Sequence, residues 1–117
     1  VYEIDRNIVA TAMLTNYDRD YEKYPTLWSK CDNYLVIHRI ATIRNKRNQG
    51  VGRQFLSAIV EFAKKESIDY IRIDTHKDNK IMRKFLSNFG FVELGEIKLT
   101  MKNNLDNKER IAYEIKV

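Results

Sequence analysis

The sequence predicts a mixed α/β sheet covered by helices, with its elements in the order β-β-β-α-β-α-β-β. Three observations lead there. Several segments are β-branched and apolar or alternate with period two, as strands do. Two segments instead repeat their apolar residues at helical spacing. Strands and helices alternate through the middle of the chain, which indicates a mixed sheet with helices packed on it. A length of 117 residues fits one domain, spanning 1–117, with one core.

Residues 1–4 (VYEI) and 8–15 (IVATAMLT) have strand character, and the intervening DRN is a tight turn, so the pair is a hairpin. Residues 16–33 are polar and irregular, with Pro25 and Trp28 inside. Connections of that length often carry function. Their aromatic residues Tyr17, Tyr21, Tyr24 and Trp28 either line an acceptor pocket or cover the sheet. Residues 34–43 (YLVIHRIATI) are apolar on both faces, as expected of a central strand. The stretch RNKRNQGVGRQFL, residues 44–56, then packs Arg44, Lys46, Arg47 and Arg53 together with two of the chain's four glycines. From there Val51, Phe55, Ile59, Phe62 and Ala63 recur at helical spacing, and Lys64, Lys65 and Glu66 end the pattern. Residues 69–75 (DYIRIDT) return to strand alternation. Asn79 to Asn88 is a short helix with Ile81, Met82, Phe85 and Phe89 inward, Asp78 or Asn79 as N-cap and Gly90 as C-cap. Residues 91–99 and 109–117 form a final strand pair joined by TMKNNLDNK. There is no internal repeat, domain linker or low-complexity tract.

A composition of 44% hydrophobic and 32% charged residues is that of a soluble globular chain and not a disordered one. No apolar run approaches the length of a membrane span, and the opening residues VYEIDRN lack the basic and apolar regions of a signal peptide. The first residue is not Met, which suggests that the natural N-terminus lies upstream. The single cysteine, Cys31, has no partner for an internal disulfide, which favours a reducing compartment and hence the cytoplasm. Its setting, WSKCDNY, is that of an ordinary, partly buried thiol. The net charge of +5 and a pI near 9.3 suggest an anionic partner: nucleic acid, an acidic protein or a phosphate-bearing small molecule. No aromatic residues interleave the basic run and no nucleic-acid signature accompanies it, which argues against nucleic acid.

The glycine segment follows a strand and opens a helix. Gly50 and Gly52 remove side chains where the backbone turns tightly. A helix start offers unpaired N–H groups and a partial positive charge, to which Arg47 and Arg53 add full charges. The arrangement is an anion cradle suited to a diphosphate. It is not a Walker loop, because Arg53 and Gln54 follow Gly52 where Lys and Ser or Thr are needed. Nor is it a dinucleotide fingerprint, because Phe55 occupies the place of the third glycine.

The pattern Arg47-Asn48-Gln49-Gly50-Val51-Gly52, in this context, resembles the acyl-CoA pyrophosphate loop of the GNAT superfamily of N-acetyltransferases. Downstream, DNKIMRKFLSNFGF is similar to that family's Asn-led helix ending in Gly-Phe, with Asn79, Gly90 and Phe91 in the matching places, and IRIDTH resembles the strand before it. The resemblance covers essentially the whole chain. It implies a mostly antiparallel twisted sheet with helices on its faces, a first strand and one or two helices missing ahead of residue 1, acetyl-CoA as cofactor, and a small-molecule or peptide amine as acceptor. It implies that the loop Arg47–Arg53 holds the diphosphate, and that backbone groups of Ile40, Ala41 and Thr42 hold the pantetheine arm where two central strands splay apart. Asn79 and Phe85 would also contact the cofactor, although a phenylalanine at such a place is more often core and Phe85 could do both. Sheet edges near the C-terminus suggest a homodimer, as many relatives form.

Departures are also visible. A proline common in the family after the strand is Arg44 here, and the tyrosine that often serves as general acid is Leu86. Acetyl transfer to an amine needs a neutral nucleophile, so a base helps. His38 is one candidate, against a half-buried strand histidine bonding a neighbour; imidazole as a residue type suits the role. His76 is a second, either facing the splay or capping a turn through Asp78. Asp74 either orients a histidine or pairs with Arg72 or Arg39. Tyr113 is a replacement acid or a strand aromatic packing the sheet. The alternative to an enzyme is a non-catalytic acyl-CoA-binding module of the same fold.

Overall fold

A computed structural model describes residues 1–42, 50–98 and 109–117. Its elements are β1 (Tyr2–Ile4), β2 (Asn7–Thr15), a 3-10 turn at Tyr21–Lys23, β3 (Tyr34–Thr42), α1 (Val51–Lys65), β4 (Tyr70–His76), α2 (Lys80–Phe89), β5 (Val92–Lys98) and β6 (Glu109–Lys116). The six strands form one sheet in the order β1-β2-β3-β4-β6-β5. Only β3 and β4 run parallel, and the other pairs are antiparallel. The expected element order and mostly antiparallel sheet are thus present.

Local chemistry explains the turns. Asp5 and Arg6 both adopt positive φ, 51° and 66°, which matches the mirror-image turn of a two-residue hairpin and closes Ile4 onto Asn7. The parallel β3–β4 pair needs a crossover, which α1 supplies. Asn79 caps α2, its Oδ1 accepting from Met82 N–H at 3.1 Å, and Gly90 ends the helix at a φ of 124°.

Both helices cover the same face. Val51, Phe55, Leu56, Ile59 and Ala63 of α1 and Leu86 of α2 bury against Leu35, Ile37, Ile71, Ile73, Ile111 and Tyr113 of the sheet. Two expectations fail at this level. Phe62 stays 46% exposed because it falls on the flank of the arc centred on Ile59 and Ala63. Ile81 is 86% exposed, while Leu86 takes the inward place, since Met82, Phe85, Leu86 and Phe89 share one stripe.

The opposite face is covered by residues 16–33. Tyr21 and Trp28 stack at 4.5 Å between centroids and pack with Val36, Ile97 and Ala112. Trp28 Nε1 donates to the Tyr21 carbonyl at 3.1 Å, and the Tyr21 hydroxyl donates to Asp74 Oδ2 at 2.5 Å. Arg72 lies between the Trp28 and Tyr34 rings, 4.9 and 3.9 Å from their centroids, and donates to the Ser29 carbonyl at 2.9 Å. Glu114 accepts from the Ser29 N–H and hydroxyl. The segment read as irregular is therefore a pinned cover.

These phenols make the cover sensitive to alkali. Burial, then the charge of Asp74, pushes the Tyr21 hydroxyl far above its ordinary range. Burial, then the bond to Glu22, pushes Tyr34 up to about 12. A raised phenol pKa means that the fold favours the neutral form. The contribution is full below the unfolded phenol value, about 10, and is lost as pH rises through the folded value. Stability should therefore drop between pH about 10 and about 12. Tyr21→Phe should cost about 1 kcal/mol at neutral pH and flatten that alkaline loss, as read from guanidinium midpoints at the two ends of the range.

Candidate functional site

The parallel pair β3–β4 is short. Tyr34, Leu35 and Val36 pair with Tyr70, Ile71 and Arg72, and pairing stops there. The reason lies on the other side of β3. Between Thr11 and Met13 of β2, the partners on β3 advance from Ala41 to His38, so β3 carries one extra residue. Arg39 sits within that step at a φ of 52°. Such a bulge bends its strand. β3 therefore leaves β4, while β4 continues along β6 as far as His76↔Arg110.

The parting opens a cleft of about 610 Å³. Its walls are Ile37, His38, Arg39 and Ile40 from β3 and Ile73, Asp74 and Thr75 from β4. Asn79 and Met82 of α2 close one side, and Met13, Thr15, Asp18 and Asp20 the other, with Arg110 at the β6 end. Of the three residues expected to present backbone to the splay, Ile40 lines the cleft, and Ala41 and Thr42 pair on their β2 side with Thr11 and Ala10 without a partner on β4.

At the start of α1, Gly50 is the N-cap residue, in the left-handed conformation at a φ of 74°. Nothing lies within 4 Å of where a Cβ would stand there. Being glycine, Gly50 offers no side chain to cap α1, and the first turn holds no acidic residue. Helix geometry leaves the N–H groups of Val51, Gly52 and Arg53 without intrahelical acceptors. Helix-start amides beside a glycine with room around it fit an anion of diphosphate kind. Gly52 is held close to α2, for a Cβ on it would come within 3.2 Å of Phe85 Cζ. Phe85 is thus a contact of the loop as well as a flank of the core. The Arg53 guanidinium lies over the Phe89 ring, 5.5 Å from its centroid. Arg47, Asn48 and Gln49, like Arg44 and Lys46, lie outside the described residues.

The candidate catalytic residues separate. His38 is in the cleft, its side chain 28% exposed, with Nε2 3.5 Å from Asp18 Oδ2. His76 is not on the cleft wall. Its Nδ1 accepts from the Asp78 N–H at 3.0 Å, so the lone pair a base would use is committed to the turn. Tyr113 is fully buried among the core residues under the helices. Its hydroxyl accepts from Arg83 Nε at 3.1 Å and donates to Glu93 Oε1 at 2.9 Å. Burial holds the phenol above its usual value, and the Arg83 bond holds the Glu93 carboxyl below its own. Tyr113 therefore ties α2 to β5 and does not face the cleft.

Asp74 pairs with neither Arg72 nor Arg39. Its Oδ1 lies 2.8 Å from Arg110 Nε and its Oδ2 takes the Tyr21 hydroxyl. Leu86, at the place of the family tyrosine, is 1% exposed within the core. The Cys31 thiol is pushed up by burial and is not activated. Among the described residues, no group of three His, Cys, Asp or Glu stands together to hold a metal ion, and no helix is long and apolar enough to cross a membrane. Sequence reasoning missed Met13, Thr15, Asp18, Asp20 and Arg110 as cleft residues. Nothing in the spacing of NYDRDY reveals that Asp18 reaches a strand twenty positions away.

The comparisons agree with this geometry. The family profile described as "Acetyltransferase (GNAT) family" matches residues 1–91. No curated protein sequence matches the chain. Among solved structures, a GNAT family acetyltransferase from Streptococcus agalactiae is 26% identical, with a TM-score of 0.77 over 95% of this chain and 60% of its own. A GNAT family acetyltransferase from Elizabethkingia anophelis, solved with acetyl-CoA bound, is 18% identical, with a TM-score of 0.75 over 98% of this chain and 72% of its own. The ribosomal-protein-S18-alanine N-acetyltransferase of Escherichia coli is 14% identical, with a TM-score of 0.69 over 97% of this chain and 64% of its own. The chain thus spans about 60% of the length of the first of these structures. With the profile covering most of its residues, the chain belongs to the GNAT family of acetyltransferases.

Proposed function

We propose that the chain is an acetyl-CoA-dependent N-acetyltransferase that passes the acetyl group to a primary amine by direct attack on the thioester. The observation that carries this reading is the cleft left where β3 and β4 part, with a histidine on its wall. Acetyl-CoA, when bound, supplies an acetyl group activated as a thioester. The amides of Gly50, Val51, Gly52 and Arg53 hold its diphosphate, and Arg47, Asn48 and Gln49 belong to the same loop by sequence. Ile40, Ala41 and Thr42 offer backbone groups on the side that β4 has left. Asn79, at the cleft, and Phe85, against Gly52, flank the same route.

The acceptor enters from the face covered by residues 16–33. A lysine-like amine has a pKa of about 10.4 and is neutral in only about one molecule in a few thousand at pH 7. His38, on the cleft wall, takes the ammonium proton in this reading. Holding amine and thioester together in one cleft supplies much of the rate. The departing thiolate of a thiol with pKa about 8.5 leaves without obligatory protonation, which suits a cleft whose described walls carry no tyrosine. That same feature, with Leu86 buried and the Tyr113 hydroxyl engaged, favours the second reading, an acyl-CoA-binding module without efficient turnover. The acceptor is a small molecule or a peptide amine. The 117 residues act as one domain, working in the cytoplasm, and a homodimer would form through β1 or β5, the outer strands of the sheet.

Two substitutions test the two halves of the reading. Gly50→Glu should weaken acetyl-CoA binding more than tenfold in calorimetry, whereas Gly50→Asn, which tolerates the left-handed backbone, should keep most of it. Full affinity in the glutamate variant would remove the loop from the site. His38→Ala should lower kcat by roughly 10²–10⁴ without changing acetyl-CoA affinity. An unaltered rate across pH would leave His38 without a catalytic role.

A further inference from the structure

Asp18 is held with unusual care for a residue in a connecting segment. Its Oδ1 accepts two backbone N–H groups, from Asp20 at 2.8 Å and Tyr21 at 3.2 Å. Its own carbonyl accepts from the Glu22 N–H at 3.1 Å. The turn so formed is anchored to the sheet, because Tyr21 is fully buried, stacked on Trp28 and bonded to Asp74. Anchor and turn together fix the one carboxylate oxygen left over. That oxygen, Oδ2, lies 3.5 Å from His38 Nε2, and the Asp18 side chain is only 13% exposed. Other charged groups line the same cleft: Asp20, Asp74, Arg39 and Arg110. Asp74 is already taken up by Tyr21 and Arg110.

We propose that Asp18 is the positioning residue for His38, holding its Nε2 as the protonated nitrogen and leaving the lone pair on Nδ1 to take the acceptor's proton. The inference rests on the reading of His38 as the base. A carboxylate can only accept, so a proton shared with it must sit on the nitrogen that faces it. A neutral imidazole with its hydrogen on Nε2 carries its basic lone pair on Nδ1. The 3.5 Å separation closes to a hydrogen bond with a small rotation of the ring, and such contacts tighten when substrate is present. Proton balance is simple. The ammonium loses one proton to Nδ1, giving an imidazolium that the Asp18 carboxylate stabilises. That proton passes to solvent, restoring the Nε2–H form. The neutral amine then forms the C–N bond at the thioester carbon, and as the C–S bond breaks the nitrogen gives its second proton to Nδ1, which passes it to the departing thiolate.

Asp18→Asn tests this cleanly. The amide oxygen can still accept from Asp20 and Tyr21, so the turn and the melting temperature should hold. The amide NH₂ facing Nε2 is a donor and cannot accept its proton. Long-range ¹H–¹⁵N spectra of the ring nitrogens should show the Nε2–H form for His38 in the parent chain and a shift towards the other tautomer in Asp18→Asn. Assignment is direct, because the chain has only two histidines. Asp20→Asn removes a charge from the same cleft and should leave the tautomer unchanged. With the amine that the parent protein acetylates, kcat should fall about tenfold to a hundredfold in Asp18→Asn, with acetyl-CoA affinity intact. An Asp18→Asn ring spectrum identical to the parent's, or an unchanged kcat after a clear tautomer shift, overturns the proposal. Absence of any acetylation by the parent chain would instead sink the transferase reading, while the spectra still decide whether Asp18 sets the tautomer.

Discussion

The structure turns on the divergence of two strands. β3 and β4 pair over three residues and then separate because β3 carries an extra residue near Arg39. A central gap in a sheet would ordinarily leave two rows of backbone groups unsatisfied. Here each strand keeps its other neighbour, β2 for β3 and β6 for β4, so the sheet holds while one edge of each strand remains open. The crossover through α1 and the apolar layer beneath both helices fix the two strands at their paired ends. A paired end and an open end, each strand still held by its other neighbour, make the gap a slot and not a defect.

The two faces of that slot differ in chemistry. One lies under the helices, with the glycine-led start of α1 and the close approach of Gly52 to Phe85. The other is built by residues 16–33, whose polar side chains enter the slot while their aromatic ones seal the sheet. The sealing is strong: Arg72 is sandwiched between two rings, Glu114 holds Ser29, and Tyr21 reaches Asp74. Asp74 and Arg110 neutralise each other next to Tyr21, so a charged pair serves to pin the cover over the site. A covering segment fixed this way can hold Asp18 against His38 as reliably as a helix would.

Much of this was legible in the sequence, for identifiable reasons. Strand period, the DRN turn, the Asn79 cap and the Gly50 turn are local, and local chemistry decides them. The glycine loop and the Asn-led helix also carried the family resemblance that the profile over residues 1–91 bears out. What failed was what depends on distant partners. Ile81 and Leu86 lie about 140° apart around α2, so only one can face the sheet, and the sheet takes the side of Leu86. For His76 and Tyr113 the sequence offered a catalytic and a structural role each, the turn through Asp78 and the packing of the sheet being the structural ones, and the structure shows the structural ones. Only the Arg83 and Glu93 partners of the Tyr113 hydroxyl, brought there by the fold, were not legible. Asp74 found Arg110 and Tyr21, which lie 36 and 53 positions away, where the sequence suggested nearer arginines. Asp18 was invisible for the same reason.

The most direct test of the central claim is amide hydrogen exchange with and without acetyl-CoA, read residue by residue along β3. If the open edge of β3 receives the pantetheine arm, amides between Ile37 and Thr42 that do not bond to β2 should slow markedly on binding, together with those at Val51–Arg53. Protection confined to the start of α1, with β3 unchanged, would mean that the slot between the strands is not where the cofactor lies.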